Sequence, residues 1–141
     1  MKFSVALLGI LLLACSAQGQ SPADTLTLSE GIRYVWISPG KGPAPKAGQT
    51  LLIRYTAGIG QDEVVDQSPE EGYVVKLAED PLIPAWNELL PIIRKGSTIK
   101  AWVKSAKAYG QEGQRSPQNF EQFIIPPNTD MWFEITLLAI R

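Results

Sequence analysis

Histidine is absent from this chain of 141 residues, and cysteine occurs once, at Cys15. Those two shortages exclude Ser-His-Asp and Cys-His catalysis, histidine-ligated zinc and any intrachain disulfide. Excess charge is missing too: the formal net charge is −1 and only 19% of residues are charged. With no long block of like charges, nothing directs the chain to nucleic acid or to an anionic surface. The apolar run Val5 to Ala14 is too short to span a bilayer comfortably, and no internal repeat is present. What remains is a 45% hydrophobic composition, ordinary for one globular domain with a tail.

The tail reads as a targeting segment. Met1-Lys2 is a short basic start, the apolar run follows, and Leu12-Leu13-Ala14-Cys15 meets the polar stretch Ser16 to Thr25. Leu-Leu-Ala-Cys resembles the lipobox of bacterial lipoproteins, which implies cleavage before Cys15, a lipid on its sulfur and an exported protein anchored in the cell envelope. The alternative is a soluble secreted protein cut after Ala17 or Gly19. Residues 1–14 are thus expected to be a signal peptide, 15–30 a lipid-attachment cysteine and flexible tether, and 31–141 the folded domain. At about 3.3 to 3.6 Å per residue the tether would reach roughly 50 Å.

Within the domain, alternation predicts strands. Ile32 to Ser38 sets Ile32, Tyr34 and Trp36 against Arg33, Val35 and Ile37. Gln49 to Thr56 sets Leu51, Ile53 and Tyr55 against Leu52 and Arg54. Glu63 to Asp66 and Tyr73 to Leu77 are two short strands around an acidic loop. Ser97 to Ser105 turns Ile99, Ala101 and Val103 inward, and Met131 to Leu137 does the same with Met131, Phe133, Ile135 and Leu137. One segment breaks the pattern: Trp86, Leu89, Leu90 and Ile93 fall at i, i+3, i+4 and i+7, one face of a helix. Pro84 suits its first turn and Gly96 its exit. The expected fold is α+β, a largely antiparallel sheet of five or six strands around one short helix. Trp86 is its plug, and the backbone N–H of Ile83 is left open at the helix entrance.

The order of short motifs carries a resemblance. Gly48-Gln49-Thr50, Arg54-Tyr55-Thr56, Val65-Asp66-Gln67-Ser68, Leu82-Ile83-Pro84-Ala85-Trp86, Gly96, Ala108-Tyr109-Gly110, Ile124-Ile125-Pro126-Pro127 and Phe133-Glu134-Ile135 together resemble the FKBP-type peptidyl-prolyl cis-trans isomerases, from about Gly31 to Arg141. The resemblance implies a bent antiparallel sheet half-wrapped around the helix, with an apolar pocket of Tyr55, Val65, Asp66, Tyr73, Leu82, Ile83, Trp86, Tyr109, Ile125 and Phe133. It implies catalytic roles for Asp66, Tyr109, Ile83 and Trp86. The Ile83 N–H and the Tyr109 hydroxyl would bind a carbonyl, and Asp66 would lie beside the twisted amide. No cofactor and no metal are implied. The expected partners are proline-containing polypeptides, the family's macrolide ligands and the membrane through the lipid anchor, with no nucleic acid.

Each residue also has a plainer reading: Trp86, Phe133 and Tyr55 suit any core, Asp66 suits a turn, and outward-facing Trp102 suits a sheet surface or a partner contact. Departures from the family pattern are specific. Val65 replaces a usual phenylalanine and Ala85 a frequent glycine. The loop after Ser68 is short and holds Glu70 and Glu71 where an arginine is common. Gln111 to Phe123 is long and polar, and is expected to be mobile above the pocket and to change the substrate preference. Two functions follow: an isomerase acting on exported proteins, or a weakly active or inactive FKBP-like binding or chaperone module tethered to the membrane.

Overall fold

The computed structural model describes residues 24–141. The expected signal peptide, Cys15 and the expected tether up to residue 23 lie outside the described residues. The expected strands are present: β2 (Ile32–Ser38), β3 (Thr50–Ile59), β4 (Glu63–Gln67), β5 (Tyr73–Lys76), β6 (Thr98–Val103) and β9 (Met131–Ile140). With β1 (Leu26–Ser29) they form a seven-stranded sheet in the order β1-β2-β6-β9-β3-β4, with β5 also paired to β3. All pairings are antiparallel. Strand β3 serves two neighbours along one edge, β5 along Thr50 to Ile53 and β4 along Thr56 to Ile59.

Alternation places the core where the sequence predicts it. Ile32, Leu51, Ile53, Val75, Ile99, Ala101, Val103, Ile135 and Leu137 are buried on the concave face, against the helix residues Trp86, Leu89, Leu90 and Ile93. The helix α1 is short, Pro84–Leu89, with Pro84 in its first turn. It stops there because Pro91 has no N–H to give the Asn87 carbonyl, and the chain tightens into a 3₁₀ turn, Leu90–Ile92. Gly96 is therefore not the helix exit. At φ 86° it closes the separate turn in which Ser97 N–H donates to Arg94 O, and its own N–H donates to Leu137 O at 2.8 Å.

The tether ends sooner than expected. Leu26–Ser29 is a strand paired to β2, so the last part of the 15–30 stretch belongs to the sheet. Ser29 Oγ donates to Glu88 Oε2 on the helix, and Lys107 Nζ pairs with Glu88 Oε1. Four residues of alternating sequence are held by groups that lie far away in the chain. Lys107 and then Ser29 lower the Glu88 pKa, and the Ser105 N–H followed by Lys104 lowers that of Asp130. Both carboxylates bind protons less readily folded than unfolded, so their stabilisation is full above their ordinary pKa values and is lost as the pH falls through the lowered values of the folded state. Thermal unfolding at stepped pH should show that decline in the wild type and a shallower one in Glu88→Gln. Equal slopes would remove Glu88 from the account.

Candidate functional site

A continuous chain of aromatic rings lines the concave face between sheet and helix. Trp86, projecting from α1 and 7% exposed, meets Tyr55 of β3 edge-on at a centroid distance of 4.9 Å and Phe133 of β9 at 5.8 Å. Tyr73 of β5 meets Tyr55 in the same way at 5.9 Å. Edge-to-face contact lets each ring set its positive rim against a neighbour's electron-rich face. The Tyr55 hydroxyl donates to Asp66 Oδ2 at 2.9 Å. Burial first, then this bond and the carboxylate charge, push the Tyr55 pKa far above its ordinary value. Burial and the charge of Asp66 also raise that of Tyr109.

Of the residues expected at the site, Tyr55, Asp66, Tyr73, Trp86 and Phe133 are joined by these direct contacts. Val65, Leu82, Ile83 and Tyr109 are partly buried against the cluster containing Trp86, Phe133 and buried Ile125. The register of β3 and β4 shifts between Ala57 and Gly58. Val65 is the extra residue, and the bulge tucks it toward the core while Val64 stays exposed. Ile83 caps α1 with extended backbone, and its carbonyl accepts from Trp86 N–H. Among the described residues neither the Ile83 N–H nor the Tyr109 hydroxyl has a hydrogen-bond partner. Ile83 and Tyr109 thus flank the same aromatic cluster, each with an unengaged donor.

A groove of about 860 Å³ lies elsewhere on the described residues. It runs over the convex side of the sheet, where the register aligns Arg33, Trp102, Trp132 and Gly58 on successive strands. Gly58 has no side chain because the Trp132 ring occupies the space a Cβ would need. None of the expected site residues lines this groove.

A family-wide sequence profile described as FKBP-type peptidyl-prolyl cis-trans isomerase matches residues 42–138. The chain belongs to that family. It is 32% identical over 115 residues to the FKBP-type peptidyl-prolyl cis-trans isomerase FkpA of Escherichia coli, covering 82% of this chain and 40% of that protein. It is 27% identical over 122 residues to the outer membrane protein MIP of Legionella longbeachae, covering 86% and 49%. A peptidyl-prolyl cis-trans isomerase structure from Pseudomonas syringae superposes with a TM-score of 0.71 at 28% identity, covering 86% of this chain and 83% of that one. The chain spans less than half the length of the bacterial relatives it matches first.

For an FKBP-type chain the departures now have physical counterparts. The short acidic loop is braced by Arg54, whose Nη2 donates to Glu70 O at 2.9 Å. Ser68 replaces a lost strand partner: its N–H donates to Tyr55 O at 2.9 Å and its Oγ accepts from Tyr55 N–H at 3.0 Å. Ser68 thus positions Tyr55 and Arg54 holds the loop, and sequence reading assigned neither role, since Arg54 looked like one more outward strand residue and Ser68 like loop. The segment Gln111 to Phe123, expected to be a mobile loop, is instead the greater part of a hairpin of β7 (Gln114–Arg115) and β8 (Phe123–Ile125). Its polar side chains bond to its own backbone: Arg115 donates to Phe120 O, and Asn119 Oδ1 accepts from Glu121 N–H. Polar composition here marks an internally satisfied turn.

Proposed function

We propose that this chain is a peptidyl-prolyl cis-trans isomerase acting on proline-containing segments of exported proteins. The observation that carries the reading is the Tyr55–Trp86–Phe133 basin in a chain of the FKBP-type family. An Xaa-Pro amide resists rotation by roughly 18 to 20 kcal/mol because resonance keeps it planar, and water solvating the polar carbonyl favours that planar form. A basin that excludes water and fits the twisted amide better than either planar isomer lowers the barrier without a nucleophile. Trp86 would floor the proline ring. Tyr55, Val65, Tyr73, Leu82, Ile125 and Phe133 would form its walls, and the Ile83 N–H and Tyr109 O–H would hold the carbonyl. Asp66, fixed by Tyr55, would stand beside the rotating bond. The family's macrolide ligands would occupy the same basin.

An isomerase assay on short Xaa-Pro peptides, using the full chain, tests this. Tyr109→Phe deletes one hydrogen bond worth on the order of 1 kcal/mol, so the rate should fall less than about tenfold. Asp66→Leu should behave similarly, since no proton moves. The rate should be flat between about pH 6 and 8, where both tyrosines stay neutral because their pKa values are raised. Absence of activity, or a thousandfold loss in folded Asp66→Asn, would sink the mechanism.

The site of action is proposed to be the cell envelope, with the domain held by a lipid on Cys15. The Leu-Leu-Ala-Cys motif supports the anchor, and similarity to an outer membrane protein supports the location. Cys15→Ser should move the protein from the membrane fraction to the soluble fraction, and persistent membrane association of that variant would count against the anchor.

A further inference from the structure

Three distant parts of the chain meet at the carboxylate of Glu88. Ser29 Oγ, at the end of β1, donates to its Oε2, and Lys107 Nζ pairs with its Oε1. Glu88 lies on α1 two residues after Trp86, and Lys107 closes a 3₁₀ turn, Ser105–Lys107, two residues before Tyr109. Two helical positions set Glu88 roughly 200° round the axis from Trp86, on the side away from the basin. The floor of the basin and one of the two unengaged donors are thus joined through a side chain that meets neither.

Other polar ties between these parts are few. The helix has no side-chain cap at its N-terminus, and among the described residues Glu88 is the one α1 side chain that hydrogen-bonds another element. The Tyr109 segment is bonded to the sheet and to itself: Ser105 N–H donates to Asp130 Oδ1 at 2.9 Å, and Ser105 O accepts from Ala108 and Gly110 N–H. Beyond Tyr109, Gly113 N–H donates to Tyr109 O and Asn128 N–H to Gly110 O, at the base of the β7–β8 hairpin. None of these bonds reaches α1. The turn after β1 steadies the Lys107 stem, since a Cβ on Gly31 would stand 3.4 Å from Lys107 Cγ. A carboxylate bonded by an ammonium on one oxygen and a hydroxyl on the other is fixed in direction as well as distance. With both charged side chains 31% exposed, the link adds modestly to stability, and its larger consequence is where Trp86 and Tyr109 stand.

We propose that Glu88 is a positioning residue for the isomerase reaction. Through Lys107 it sets the Tyr109 hydroxyl at the separation from the Trp86 floor that a bound carbonyl and its proline ring require. Through Ser29 it makes β1, the first strand of the domain, part of the support of the site. The proposal rests on the isomerase reading of the basin.

The test is a double-mutant cycle on kcat/KM with short Xaa-Pro peptides, using the full chain well below its unfolding temperature. Glu88→Ala and Lys107→Met cut the same link from opposite ends, and each should lower kcat/KM by about three- to tenfold, the scale of a fraction of an ångström of misplacement. Tyr109→Phe costs several-fold in the wild type but should cost less than about twofold in the Glu88→Ala background, because a displaced hydroxyl has little left to lose. Exchanging the charges, Glu88→Lys with Lys107→Glu, should recover at least half of the wild-type value, while either reversal alone should not. If Tyr109→Phe costs the same in both backgrounds, or the exchange recovers nothing although the protein is folded by circular dichroism, Glu88 adds only stability and the proposal is overturned. If the wild type isomerises no peptide, the isomerase reading fails, and nuclear magnetic resonance still decides the link. Lys107→Met should then move the Trp86 indole N–H resonance and Glu88→Ala the Tyr109 amide, each variant being read at the far group. Resonances that stay in place would overturn the positioning role as well.

Discussion

Replacing Trp86 with alanine should lower the free energy of unfolding by about 3 to 5 kcal/mol, the range for emptying a large aromatic site in a packed core. The indole is nearly enclosed at 7% exposure, and its loss also removes the edge-on contacts to Tyr55 and Phe133, each worth about 0.5 to 1.5 kcal/mol. An unstable variant reports poorly on function, so the functional probe is Trp86→Leu. Leucine fills much of the volume while offering roughly 60 Å² less apolar floor, which at about 25 cal/mol per Å² is about 1.5 kcal/mol, or about tenfold in kcat/KM. Denaturant unfolding and the isomerase assay, run on both variants, check the two halves. A folded Trp86→Leu protein with undiminished activity would mean that the proline does not rest on this ring, and the basin would revert to being ordinary core.

The expectation that Trp86 sits at the centre came from periodicity, and periodicity was a good guide wherever one face of an element is buried. Leu51 and Ile53, or Ile99, Ala101 and Val103, repeat every second residue because one side of the sheet meets the helix. The helix was legible from four apolar positions and Pro84, but its length was not. Pro91 lies inside the apolar pattern, and its missing N–H acts on the hydrogen-bond ladder without disturbing the spacing of Leu89, Leu90 and Ile93. Strand β1 was invisible for another reason. Leu26 to Ser29 is short, and what holds it is pairing with β2 and the Ser29–Glu88–Lys107 cluster, contacts that bring together distant parts of the chain. Ser68 acts on Tyr55, and Arg54 on the acidic loop, through backbone groups, a role that residue type alone does not announce. The hairpin was misjudged because Gln, Ser and Asn mark a solvated loop or a self-bonded turn equally well, and only the partners distinguish them.

The second large effect is expected at that hairpin's base, where Gly113→Ala should open the wall of the basin. Gly113 has φ 64°, a left-handed conformation that disfavours any side chain by roughly 1 to 2 kcal/mol. It is also packed against the strand that carries Ile125. A Cβ there would run into the Ile125 carbonyl oxygen and stand 2.9 Å from both Pro126 C and Pro127 N. These are backbone atoms and cannot rotate away, so relief requires β8 to move, taking buried Ile125 with it. The combined penalty should be about 2 to 4 kcal/mol in stability. Activity should fall by more than about tenfold, since a shift of about an ångström at a binding wall weighs heavily on a site that works by shape. Gly110→Ala is the matched control. Its φ of 59° imposes a similar backbone strain, but its Cβ would find nothing nearer than Ser105 O at 3.9 Å, so it should lose about 1 kcal/mol and little activity. Unfolding curves and peptide kinetics on the pair separate backbone strain from the collision. If both variants lose activity equally, the close packing of Gly113 on Ile125 is not what holds the wall, and the hairpin's base must be fixed by Tyr109 and Asn128 alone.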